Sequence, residues 1–206
     1  MPGWTLNTLT DTLLKKEFDE CRAQQKPHRI LIENNLSHII PFQHEEMDNW
    51  RNSLSGGLQV RFKDTNIILQ GGVDDIWLNT KTDEIIIADY KSQHSNYGVS
   101  QETYFKSFYH DGYKTQLDFY AYLLIGMGFK VSKDAYLYIC NAIEKDDGFH
   151  GKMHFEEVLI HYEVKTDYID DHVQSMIDTM NSENVPEANE SCENCAYARM
   201  RGESEK

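Results

Sequence analysis

The run Ile85-Ile86-Ile87-Ala88 passes directly into Asp89-Tyr90-Lys91. Three isoleucines and an alanine in unbroken succession describe a strand covered on both faces, which calls for a sheet with layers packed on either side. Side chains alternate along a strand, so Asp89 and Lys91 point to one face and Tyr90 to the other. Charges at the end of a buried strand are costly unless they are paired or hold something.

The flanking chain supplies the covering layers. Residues 5–25 carry Leu6, Leu9, Leu13, Leu14 and Phe18 at helical spacing, and Pro27 closes the helix. In residues 27–65, Ile30-Leu31-Ile32 reads as a short strand, Glu45 to Leu54 as a short helix and Ser55-Gly56-Gly57 as a turn. Residues 66–79 form one strand-like run facing 84–92 across the turn at Asn79–Asp83. Residues 93–112 are aromatic and polar without a clean period. A helix follows from Tyr113 to Met127, then strands near 134–143 and 153–165, and a helix near 167–181. The expectation is a single α/β domain spanning residues 1–206, with 186–206 a C-terminal tail carrying Cys192-Glu-Asn-Cys195.

A 40% hydrophobic and 26% charged composition suits a packed core and excludes disordered and low-complexity classes. No apolar run approaches the roughly 18 residues of a membrane span. Met1-Pro2-Gly3-Trp4-Thr5 lacks the basic stretch and apolar run of a signal peptide. A soluble, cytoplasmic protein with no membrane partner is therefore expected. The net charge of −14 opposes polyanion binding, but it is uneven. Residues 1–133 carry 17 acidic and 14 basic side chains, and residues 134–206 carry 17 and 6. Any polyanion site belongs in the first two thirds, and the acidic last third reads as a solvated face.

Folding the hairpin about Lys81 and Thr82 sets Asp74 opposite Asp89. Facing residues have Cβ atoms roughly 4.5–5.5 Å apart, a distance at which two carboxylates repel unless a cation or a shared proton lies between them. A one-residue bulge would bring Asp75 in instead. Two hard oxygen donors with open positions suit Mg²⁺ or Mn²⁺ and substrate phosphate oxygens, and Lys91 can orient a water or offset developing charge. An ordinary salt-bridged hairpin end is the other reading of these three residues. On the following helix, Gln116 and Tyr120 stand at i and i+4 on one face.

The combination of Gly71-Gly72-Val73-Asp74, Asp89-Tyr90-Lys91 and Gln116-x-x-x-Tyr120 resembles the PD-(D/E)XK nucleases, more narrowly the RecB-like branch that includes CRISPR-associated RecB-like exonucleases. The resemblance implies a restriction-endonuclease-like core of αβββαβ type, a central mixed sheet flanked by helices. It implies metal ligation by Asp74, Asp89 and the Tyr90 carbonyl, catalysis by Lys91, and Gln116 and Tyr120 lining the site. Such enzymes often add an upstream histidine ligand, for which His38 and His44 are the candidates and His44 is favoured. The implied activity is exonuclease-like hydrolysis of DNA rather than RNA, with a protein partner and the oligomeric state left open. A catalytically silent module of the same fold, used for binding or assembly, is the alternative. An enzyme acting on small nucleotides is a third.

Some relatives hold an iron–sulfur cluster on four cysteines. Cys21, Cys192 and Cys195 match three of those positions, but Arg201 stands near the fourth. Cys140 reads as a strand core residue, and zinc on the remaining thiolates is a further option. A metal-free tail is the favoured reading. Tyr97, Tyr104 and Tyr109, interleaved with Lys106 and Lys114, suit stacking on unpaired bases. Equally, Tyr104, Phe105 and Phe108 fit the buried stripe of a short helix.

Overall fold

The computed structural model describes residues 5–145 and 147–204, so the expectation resting on Met1–Trp4 lies outside the described residues. Two compact units divide the chain, Met1–Thr166 and Asp167–Lys206. The first begins with helix α1 (Thr5–Ala23), the short helix α2 (Arg29–Glu33), strand β1 (Ile39–Pro41) and the single turn α3 (Met47–Trp50). Strands β2 (Leu58–Arg61), β3 (Ile68–Gly71), β4 (Asp75–Asn79) and β5 (Glu84–His94) follow. Helix α4 (Asp111–Gly126) and the long strands β6 (Val131–Ile143) and β7 (His154–Glu163) complete it.

Five strands form a mixed sheet in the order β1-β4-β5-β6-β7, with β5 and β6 parallel and the other pairs antiparallel. The β5-α4-β6 crossover is what a parallel pair requires. Around β5 the two-residue alternation divides the core cleanly. Ile76, Ile85, Ile87, Leu137 and Ile139 pack with Leu117, Ala121, Leu123 and Leu124 of α4. Trp77, Ile86, Ala88, Tyr90, Tyr138 and Cys140 pack with Leu14 and Phe18 of α1. Each of the fully buried α4 leucines contributes about 1.5–3 kcal/mol, enough to seat the helix firmly on the sheet.

The structure corrects several local expectations. Ile30–Ile32 is helical rather than extended, because the His28 side chain caps the helix by accepting from the Ile30 N–H. The run 66–79 is two strands: β3 leaves the main sheet to pair with β2, and only β4 pairs with β5. Gly71 and Gly72 make the break. A Cβ on Gly72 would fall 2.5 Å from the Cβ of Ser53, and one on Gly71 2.9 Å from the Tyr120 ring, so neither position has room for a side chain. Along α1, Leu14 and Phe18 are buried, whereas Leu6, Leu9 and Leu13 are exposed.

The second unit holds α5 (Ile169–Asn181) and α6 (Glu193–Ser204), the latter a helix within the expected tail. No helix among the described residues is long and apolar enough to cross a membrane.

Candidate active site

The β4–β5 ladder pairs Asp75 with Ala88, Ile76 with Ile87 and Trp77 with Ile86. Without a bulge, the next position sets Asp74 against Asp89. Asp74 immediately precedes β4, and its carboxylate takes the place of a ladder partner: the Tyr90 N–H donates to Asp74 Oδ2 at 3.0 Å. The chain entering Asp74 is held by the Val73 N–H, which donates to the Trp50 carbonyl at 3.2 Å. Arg51 Nε donates to the Asp74 carbonyl at 3.0 Å.

Asp89 is the buried member of the pair, its side chain 1% exposed. The Lys91 ammonium forms an ion pair with Oδ2, the Asp74 carboxylate lies against the side chain, and no further donor reaches its oxygens among the described residues. Burial pushes its pKa up to about 7, with the Asp74 charge adding to the rise and Lys91 opposing it. Lys91 Nζ also donates to Gln116 Oε1 at 3.1 Å and lies 4.7 Å from the centre of the Tyr113 ring. Gln116 Nε2 in turn donates to the Tyr120 hydroxyl at 2.8 Å. Burial pushes that hydroxyl up to about 12, so it stays protonated. One turn of α4 therefore holds the lysine head from the side opposite the carboxylates.

A second group of side chains at the site escaped the sequence reading. On α1, Lys15 Nζ donates to Asp11 Oδ2 at 2.8 Å and to Asp74 Oδ1 at 3.1 Å. Burial raises the Asp11 pKa, Asp74 adds to the rise, and the hydrogen bond from Lys15 opposes it. On the other face of β4, the fully buried Asp75 is paired with Arg22 and accepts from Arg51 Nη2 at 3.1 Å and the Tyr90 hydroxyl at 2.7 Å. Arg51 Nη1 reaches both oxygens of Asp19 at 3.0 Å. The signal was present as Asp11, Lys15, Asp19 and Arg22, charges alternating in sign at i, i+4, i+8 and i+11 on one helix face.

Other expected residues fall elsewhere. His44 stacks on Trp50 with ring centres 4.3 Å apart, and its Nδ1 accepts from the Glu46 N–H. No three His, Cys, Asp or Glu side chains form a ligand set among the described residues, so neither His44 nor His38 joins Asp74 and Asp89 in one. Tyr104 is a core residue rather than a stacking platform. It is 4% exposed, lies 4.0 Å from the His110 ring and donates to Gln93 Oε1. Phe108, expected in the same buried stripe, is exposed, because two 3₁₀ turns replace a regular helix there. Tyr97, Tyr109 and Lys106 are exposed, and Lys114 is paired with Asp111. Cys192 and Cys195 are joined to each other in a disulfide, Cys21 is a half-buried thiol in α1, and Cys140 is buried in β6.

The donor set around Asp89 fits a hard divalent cation. Two carboxylates lie against each other, and among the described residues Lys91 is the donor that reaches the buried one. A family model described as the PD-(D/E)XK nuclease superfamily matches residues 5–200. No curated protein and no solved structure matches the chain.

Proposed function

Because the chain belongs to the PD-(D/E)XK nuclease superfamily, we propose that it is a Mg²⁺- or Mn²⁺-dependent nuclease that hydrolyses phosphodiester bonds of DNA, in exonuclease fashion and on the RecB-like plan. The observation that carries this reading is Asp89: a buried carboxylate that lies against Asp74, pairs with Lys91 and has no further donor among the described residues. The α1-β1-β4-β5-α4-β6 succession is the family's αβββαβ core, with β7 added and β2–β3 inserted.

Asp74 and Asp89 are the residues that would hold the cation. The Tyr90 carbonyl is a third donor, since a strand residue's N–H and C=O leave by the same edge and the Tyr90 N–H already points at Asp74. The cation supplies Lewis-acid polarisation of the scissile phosphate when bound. Lys91 positions the attacking water and offsets negative charge as the water oxygen bonds to phosphorus and the ester P–O bond breaks. Gln116 fixes the lysine head by accepting one of its hydrogens, and Tyr120 fixes the Gln116 amide. Arg51 and Arg22 act at one remove, holding Asp75 and with it the strand end that carries Asp74.

The test is cleavage of end-labelled DNA and RNA, linear and circular, in Mn²⁺, Mg²⁺ or chelator. Metal-dependent cleavage of linear DNA, absent from Lys91→Ala and Asp89→Ala, is the expected result. A folded protein that binds DNA without cutting it under any metal would establish the silent module instead.

A further inference from the structure

Both oxygens of Asp74 are engaged. The Tyr90 N–H holds Oδ2, and Lys15 Nζ holds Oδ1. The two donors differ in kind: one belongs to a strand backbone in the middle of the sheet, the other ends a flexible four-carbon stem at the rim. Asp89, by contrast, is paired by Lys91 and lies against the Asp74 carboxylate, and no further donor reaches its oxygens among the described residues. A cation shared between the two carboxylates therefore meets two ammonium groups: Lys91 on Asp89, which Gln116 also holds, and Lys15 on Asp74 at the rim.

We propose that Lys15 is the resident counter-cation of the metal-free site, giving up Asp74 Oδ1 to a divalent cation and thereby becoming free to pair with a phosphate of the bound strand. This deepens the nuclease reading and rests on it. The geometry supports both halves. Lys15, Asp11 and Asp74 are 22%, 32% and 26% exposed at their side chains, so the ammonium has solvent within reach. Asp11 lies one helical turn before Lys15 and keeps its own bond to the ammonium, which holds the released head near the site. A lysine that merely shaped the acid pair would have to support metal binding, whereas a counter-cation competes with it.

Mn²⁺ titration by calorimetry of metal-free wild type, Lys15→Met and Lys15→Gln separates the two. Either neutral variant is expected to bind Mn²⁺ about two- to fivefold tighter than wild type, the scale of a partly exposed ion pair. In Ca²⁺ without turnover, the same variants are expected to bind a DNA oligonucleotide more weakly, with the salt dependence of binding reduced by about one ion. Equal or weaker Mn²⁺ binding by both variants, in a wild type whose Mn²⁺ binding Asp89→Ala removes, overturns this inference and leaves the nuclease reading standing. Unchanged DNA affinity and salt slope overturn the release step. Absence of Mn²⁺ binding by wild type overturns the metal site and the inference together.

Discussion

Arg51 holds Asp74 by its backbone: Nε donates to the carbonyl oxygen at 3.0 Å, and the carboxylate is left to face Asp89. The same guanidinium binds the buried Asp75, and Asp75 is also bonded by Arg22 and the Tyr90 hydroxyl. Successive residues at one strand start thus serve two purposes, one acid facing Asp89 and the next anchoring the strand. Arg51→Ala is expected to cost about 3 kcal/mol, since it takes one of two guanidinium partners from a fully buried carboxylate. Urea denaturation measures that loss. Arg51→Lys is expected to recover only part of it, because one ammonium cannot span the Asp74 carbonyl, Asp75 and Asp19.

Asp89 links stability to pH with a definite sign. Burial raises its folded-state pKa to about 7 from 3.8, so the folded protein holds that proton more tightly than the unfolded chain. Its contribution is fully present below about pH 4 and is lost as pH rises through 7. Asp89→Asn mimics the protonated acid. In chelator it is expected to raise Tm by about 2–5 °C at pH 8, with the difference shrinking toward zero near pH 4. The same variant should lose the thermal stabilisation that Mn²⁺ confers on wild type. A Tm difference that grows on acidification would refute the assignment.

Removing the lysine should act on the chemistry, and saturating metal takes over its place beside Asp89. Lys91→Gln is expected to lower the single-turnover cleavage rate by about 10²- to 10³-fold at saturating metal, the scale of losing one preorganised charge at the transition state. Gln116→Leu should cost about tenfold, because Lys91 keeps its contact with Asp89 and loses only the Gln116 acceptor. Equal rate losses in the two variants would show that Gln116 does more than hold the lysine.

Gly72 tests how the strand start is built. An added Cβ would fall 2.5 Å from the Ser53 Cβ and 2.9 Å from the Ser53 nitrogen, and the second contact is backbone that cannot rotate away. Gly72→Ala is expected to destabilise the protein by about 1–3 kcal/mol and to weaken Mn²⁺ binding, since the displaced segment leads into Asp74. Gly112→Ala, in helix α4 and with a Cβ that meets nothing within 4 Å, should stabilise by up to about 1 kcal/mol and leave Mn²⁺ binding unchanged.

Much of the site was legible because it is local. An unbroken apolar run identified β5, a short turn placed the facing strand, and the period of two put Asp74, Asp89 and Lys91 on one face in the register the structure adopts. The helix bearing Gln116 and Tyr120 was equally plain from its apolar spacing. These features depend on residues a few positions apart or joined by one turn, and backbone geometry alone carries them.

What tertiary structure decided concerns groups far apart in the chain. Periodicity separates buried from exposed positions but does not say which distant element a charged face will meet. The Asp11-Lys15-Asp19-Arg22 stripe of α1 drew no reading from its spacing, and only the sheet brought Asp74 and Asp75 against it. Gly71-Gly72 looked like part of one strand until Ser53 and Tyr120 left no room for a side chain there. Tyr104 and Phe108 shared one expected stripe in a segment without period, and folding buried the first and exposed the second. The sequence determined the strand pair that carries Asp74 and Asp89, and its register, through steric alternation. Three-dimensional packing determined which cations and hydrogen-bond donors surround it, because a buried carboxylate is stabilised by whichever partner the fold brings within reach.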